Sequence, residues 1–316
     1  MTQLHLDTDL GGDIDDLCAL ALVLSWPNVE LVGVTTNQDN GGRRAGYTRY
    51  ALDLAGRGDV PVAAGADASL PCFRIYPGLP DEAAYWPEPI PPAPSPLDAA
   101  LDLLERSIRQ GAIIVAVGTY TNLALLERRS PGILRDAQLV LMGGYVYPPR
   151  AGFPAWSHEM DWNVQNDAQS ALEVIQRADP LRLLAIVPLT VTVETALRRA
   201  YLPALRNGGP LAQLIARQAE AFARNEQNEV RHGQTCAGLP DDTINFQHDP
   251  LACAIALGWD DGVEISTLPL RTELRDGWLR QTVDPAGKPT RVVTRVDGMK
   301  FSEFWLEMVT RTPDHA

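Results

Sequence analysis

Residues 4–24 read LHLDTDLGGDIDDLCALALVL, and this stretch decides the fold class. Leu4-His5-Leu6 reads as the first strand. Leu17 to Leu24 (LCALALVL) is apolar around its whole circumference and predicts a buried helix. The same alternation continues along the chain. Strands are expected at Val29–Thr35, Val60–Ala64, Ile113–Val117, Leu139–Met142 and Leu181–Val187. Helices are expected around Ala45–Ala55, Asn122–Arg129 and Phe301–Val309. Strand, helix, strand at this spacing predicts an α/β protein with an open, mostly parallel, doubly wound (Rossmann-like) sheet and helices on both faces. In such sheets ligands collect beyond the carboxyl ends of the strands, so the residues that follow each strand are the candidates for function.

The segment after the first strand carries five carboxylates in ten residues: Asp7, Asp9, Asp13, Asp15 and Asp16. One or two would serve as caps at a helix N-terminus. Five crowded together repel one another, and a bound cation relieves that repulsion. Carboxylates without His or Cys favour a hard ion, calcium or magnesium. An EF-hand loop is excluded because its twelfth position, counted from Asp7, is Cys18 instead of Glu. A haloacid-dehalogenase-type phosphatase is disfavoured. Gly11 stands where that pattern needs Thr or Val, and the only lysines, Lys288 and Lys300, come near the end.

Composition narrows the alternatives. The chain has 316 residues, enough to bury a core without disulfide or metal staples. Its formal charge of −13 and its lack of a Lys/Arg block exclude a basic nucleic-acid footprint. Cys18, Cys72, Cys236 and Cys253 are far apart and form no CxxC pair. No apolar run is long enough to span a membrane, and the N-terminus enters a strand at once. The expectation is a soluble, reduced, cytoplasmic protein with no membrane partner. Trp86–Pro96 holds six prolines and predicts a surface loop, with Tyr85 and Trp86 beside it as pocket candidates. Val263–Val296 reads as short strands and turns. No linker stands out, so residues 1–316 are taken as one domain.

Six motifs in order resemble the nucleoside hydrolases, the inosine–uridine-preferring family. Asp7, Asp9, Gly11 or Gly12, Asp15, Asp16 and Ala19 are similar to DxDPGxDDAxA, with two extra residues and Leu10 in place of Pro. Thr35-Thr36-Asn37-Gln38-Asp39-Asn40 fits TTxxxN, and Gly118 to Ala124 (GTYTNLA) resembles GPLTNLA. Leu141-Met142-Gly143-Gly144 matches LMGG. Asp161-Trp162-Asn163 with Asp167-Ala168 resembles E-[FWY]-N followed by DP-x-A, with Asp161 replacing Glu. His248-Asp249-Pro250-Leu251-Ala252 matches HDPLA.

The resemblance implies a calcium-dependent hydrolase that splits the N-glycosidic bond of ribonucleosides into ribose and free base. It implies calcium on Asp9, Asp16, Asp249 and the Val117 carbonyl, with Asp9 as general base. His248 would be general acid, its pKa poised near neutrality by Asp249. Asp15, Asn40, Met142, Asp161 and Asn163 would contact the riboside, and Trp86, Tyr145, Trp156 and Trp162 are available to stack on a base. It also implies a homodimer or homotetramer. The family's His-containing loop after the third strand has no His here in residues 70–96. Two other readings remain: a riboside-binding protein without turnover, and a metal-dependent phosphohydrolase.

Overall fold

The structure is a computed structural model that describes residues 1–70 and 82–311. Cys72 and part of the loop after the third strand lie outside the described residues. The first strand, β1 (Thr2–Thr8), is central. Leu4, His5 and Leu6 are all fully buried, so both faces of the strand are covered. The polar residues that alternate with the leucines, His5 and Asp7, are buried as well, and hydrogen bonds to Ser107, Thr35 and Asn122 satisfy them. The helix after it, α1 (Asp15–Ser25), buries Leu17 to Val23 without a break.

The chain then builds β2 (Val29–Thr36), α2 (Arg43–Leu54) and β3 (Val62–Ala64) to one side of β1. It crosses back to lay β4 (Ile113–Ala116), β5 (Gln138–Met142) and β6 (Leu183–Val187) on the other side. The sheet order is β10-β9-β11-β6-β5-β4-β1-β2-β3, where β9 is Glu264–Arg275, β10 Trp278–Val283 and β11 Lys288–Arg295. β1 pairs in parallel with both β2 and β4, and β11 joins β6 in parallel. β7 (Leu197–Arg198) and β8 (Thr243–Asn245) form a separate antiparallel pair, and in the main sheet β9 pairs antiparallel with both β10 and β11. This is the doubly wound, mostly parallel sheet expected from the sequence.

Several boundaries move. The third strand begins at Val62 because Pro61 has no N–H for the ladder. The sixth begins at Leu183, leaving Leu181 in solvent. The region read as short strands and turns is a meander of three strands of up to twelve residues. The helices Leu97–Arg109 and Pro210–Glu226 were not anticipated; Pro210 is at the first turn of its helix, where its missing N–H costs nothing. The proline-rich segment lies along α2, with Ala93 N donating to Gly42 O at 2.8 Å. Trp86 stacks on Tyr47 with ring centroids 4.5 Å apart and is core. Among the described residues, no helix is long and apolar enough to cross a membrane.

The far edge has its own lock. Lys288 Nζ donates to the carbonyls of Ile175 (2.7 Å) and Gln176 (3.1 Å), and also to Ala178. These are unpaired acceptors at the end of the helix Ala168–Arg177, where a cation is favoured. Lys288→Met should lower unfolding free energy by about 1–2 kcal/mol. Urea denaturation would read this, and an unchanged midpoint would show the contact to be idle.

Candidate active site

Winding reverses between β1 and β4: one strand leads outward to β2, the other to β5. Beyond their carboxyl ends the connections diverge and leave a cleft, the switch point where ligands bind in such sheets. A cavity of about 560 Å³ sits there. Asp9, Asp13, Asp15, Asp16, Val117, Met142, Asp161, Asn163, His248 and Asp249 all line it.

Its floor is acidic. One carboxylate oxygen from each of Asp15, Asp16 and Asp249 lies within 4.8 Å of the others, and all three residues are buried. Asp15 and Asp16 open α1, and Asp249 lies in the first turn of the helix His248–Ala256. Two helix N-termini therefore aim their positive ends at the cluster. Asp16 accepts the Thr8 hydroxyl, and at 3.2 Å the backbone N–H of Asp9. Asp249 N donates to Asp15 Oδ2 at 3.3 Å. Even so, burial first and mutual repulsion second push all three carboxyls well above the usual range. An all-oxygen, charge-rich set that is unstable by itself fits a hard divalent cation.

Asp9 stands beside this triad with partners of its own. Its Oδ2 is 3.6 Å from Arg44 Nη2; burial pushes its carboxyl up, and Arg44 and the nearby Trp162 indole oppose that rise. Asp13 accepts from Asn245 Nδ2 and Ile14 N, each at 2.5 Å, and burial pushes it up to about 6. Asp7 is not part of the cavity lining. It is sealed beneath, accepting from Thr35 (2.5 Å) and Asn122 (2.8 Å). The Thr35 hydroxyl spends its proton on Asp7, so it accepts from His5 Nε2 at 3.0 Å. His5 Nδ1 lies 2.9 Å from the Ser107 hydroxyl, whose own proton goes to Leu103 O at 3.0 Å. This Ser-His-Thr-Asp chain resembles hydrolase machinery but has no access to a substrate, since each member is about 1 % exposed or less.

The remaining expected residues divide. Asn163 Nδ2 donates to the Val117 carbonyl at 2.7 Å and to the Met142 carbonyl at 3.2 Å, so three residues expected at the site are joined. Asp161 caps the short helix after it: its oxygens accept Gly144 N at 2.5 Å and Val164 N at 3.1 Å. Burial pushes its carboxyl up to about 6. The Gly143–Gly144 pair must be glycine, because both have φ above +100° and a Cβ would meet Val164 or Gln281 within 3.0 Å.

Asn40 is not brought to the cavity. It is exposed, with φ of 53°, at the turn before α2. Its neighbour Asp39 turns inward instead, accepting the Thr36 hydroxyl and the N–H groups of Arg44 and Ala45. The tight turn allows only one of the two side chains to point inward.

His248 Nδ1 lies 2.6 Å from Thr192 Oγ1, leaving Nε2 for a ligand. Its pKa is not near neutrality: burial pulls it down to about 3, and no carboxylate holds the ring. Trp156, Phe246, His232 and His248 pack ring against ring with centroids 5.1–6.2 Å apart, forming an aromatic wall. Trp156 and Trp162 line the cavity, as does Tyr85, whereas Tyr145 and Trp86 do not. The sequence reading missed Arg44, Thr192, His232 and Asn245. Arg44 had a signal, since it falls in the first turn after a strand's carboxyl end. The others meet the site only through tertiary packing.

Comparison with known proteins places this arrangement. The chain is 28% identical over 302 residues to the pyrimidine-specific ribonucleoside hydrolase RihA of Salmonella paratyphi C (strain RKS4594), covering 92% of this chain and 87% of that protein. In structure it is similar to a plant nucleoside hydrolase, the PpNRh1 enzyme (TM-score 0.78, 19% identity, 98% of this chain and 99% of that one). It is also similar to a purine-preferring ribonucleoside hydrolase from Gardnerella vaginalis (TM-score 0.74, 21% identity, 98% of each chain). These two likenesses show the fold. The family model described as "Inosine-uridine preferring nucleoside hydrolase" matches residues 4–303, and the chain is therefore a hydrolase belonging to that family.

Proposed function

We propose that this protein hydrolyses the N-glycosidic bond of ribonucleosides, releasing ribose and the free base, with calcium as its resident ion. The observation that carries the reading is the meeting of Asp15, Asp16 and Asp249 on the floor of a 560 Å³ cavity at the switch point. Asp16 and Asp249 are the proposed ligands, with Asp15 beside them and the Val117 carbonyl and Asp9 at the margin. When bound, a hard dication supplies Lewis acidity toward an attacking water and an anchor for ribose hydroxyls.

The chain's own residues supply the rest. Asp9, clamped by Arg44 and Trp162, is the proposed acceptor of the proton from that water. Asn163 has its Nδ2 engaged by two carbonyls, which leaves Oδ1 to accept from a sugar hydroxyl. Asp161 works through the backbone of Gly144 in this reading, holding the loop beside the sugar. Contacts that tighten as the ring flattens toward an oxocarbenium ion lower the barrier.

His248 is the proposed proton donor to the departing base. Burial keeps the ring neutral, and it gives a proton only as the imidazolium, so this role requires it to be charged as the base departs; Nδ1–H then donates to the Thr192 hydroxyl, whose own proton goes to Leu189 O at 3.0 Å, and Nε2–H faces the base. His248→Ala should slow substrates with poor leaving groups by about 10²–10⁴-fold and activated aryl ribosides far less. Equal losses on both substrate types would remove His248 from the proton-donor role.

The test of the whole reading is a panel of purine and pyrimidine ribonucleosides, assayed for reducing sugar with calcium present. Release of ribose supports it and shows which base the aromatic wall admits. One observation favours a riboside-binding protein without turnover: both Asp161 oxygens are already taken and Asn40 faces solvent. Saturable binding without ribose release would select that alternative. We further propose one catalytic domain in a reducing, cytoplasmic setting, consistent with free Cys18, Cys236 and Cys253. A homodimer or homotetramer is proposed from family resemblance, and sedimentation would measure it.

A further inference from the structure

The cavity floor holds one buried positive side chain among its acids. Arg44, in the first turn of α2, reaches Asp9 at 3.6 Å, with side-chain exposures of only 3% and 12%. Its placement is built into the fold. Arg44 Nε donates to Gln38 O at 3.0 Å, and its backbone N–H to Asp39 Oδ1 at 2.7 Å. Asp9 in turn is drawn toward Arg44 and Trp162, and the close triad is made by Asp15, Asp16 and Asp249 without it. A guanidinium and a divalent cation lining one cavity repel each other, and both are attracted to the same carboxylate.

We propose that Arg44 competes with the divalent cation for Asp9, weakening ion binding and reserving Asp9 as a positioned base; this rests on the calcium-dependent reading above. Arg44 is thus a positioning residue that acts through Asp9. In the metal-free protein it offsets part of the repulsion among buried carboxylates. In the loaded protein the same charge opposes the ion. The two effects have opposite signs, which separates this role from simple structural support.

The experiment is calorimetric titration of CaCl₂ into chelator-treated full-length protein, paired with thermal melts without calcium. Arg44→Gln should bind calcium about tenfold more tightly, from loss of one like charge lining the same cavity. It should also melt at a lower temperature than the wild type when metal-free. Arg44→Lys, which keeps the charge, should stay within about threefold of the wild-type affinity. Arg44→Met keeps the buried stem and must move in the same direction as Arg44→Gln, which covers failure of the polar variant to fold. Unchanged or weaker calcium binding in folded Arg44→Gln or Arg44→Met overturns the inference. So does an equal tightening in Arg44→Lys. Wild-type protein that takes up no calcium at all would instead overturn the metal reading on which the inference stands.

Discussion

Substituting Asp249 by asparagine should reduce ribonucleoside turnover by about 10²–10³-fold or more while making the metal-free protein no less stable. Asparagine keeps the shape of the side chain and removes one charge. Asp249 lies on the cavity floor against Asp15 and Asp16, so that charge is both a cation ligand and a source of repulsion. Losing a preorganised electrostatic group at a reaction centre costs on the order of 10²–10³ in rate. Losing a buried like charge relieves the folded state. The two measurements are initial rates with saturating calcium and a melt in chelator at pH 8. Wild-type rates in this variant would remove Asp249 from the site. A large fall in the metal-free melting temperature would mean that the carboxylate is stabilising by itself. Asp16→Asn should behave in the same way.

The second large effect is the dependence of stability on pH and its dependence on calcium. Burial and repulsion raise the pKa values of Asp15, Asp16 and Asp249 above 3.8 in the folded protein. Asp13 and Asp161 are raised to about 6, mainly by burial. Raised carboxyl pKa values mean that the folded form binds more protons than the unfolded form. The stability they contribute is fully present below about pH 4 and is lost as pH climbs through the folded values. Chelated protein should therefore melt at a lower temperature at pH 7.5 than at pH 5.5. Calcium requires the ionised forms, so its stabilisation should grow over the same interval. At a thousandfold excess over Kd the ion adds about 4 kcal/mol. Scanning calorimetry at several pH values, with and without calcium, would read both trends. A metal-free melting temperature that rises from pH 5.5 to 7.5 would contradict the electrostatic account of the floor.

The alternation of strand and helix from residue 4 onward was enough to establish the class of fold, and residues 4–24 the acidic character of its site. A run such as Ile113–Val117 marks a strand buried on both faces, and a helix apolar all round marks burial under the sheet, so those signals are local. The order of motifs was local too, which is why Asp16, Val117, Met142, Asn163 and Asp249 could be named and are found around one cavity. Partnership was not local. Which of five neighbouring aspartates point inward depends on the directions of side chains around two helix N-termini brought together by the sheet. The chain turned Asp7 into a buried network and placed Asp15 in the triad. That Asn40 faces solvent while Asp39 turns inward came from a left-handed turn that spacing could not reveal. Tertiary structure alone decided that Arg44 meets Asp9 and that Thr192 holds His248, because residues 35 and 56 positions apart have no periodic relation in sequence. A strand's burial is a property of its own residues, whereas a site's electrostatics belong to the neighbours that folding assembles.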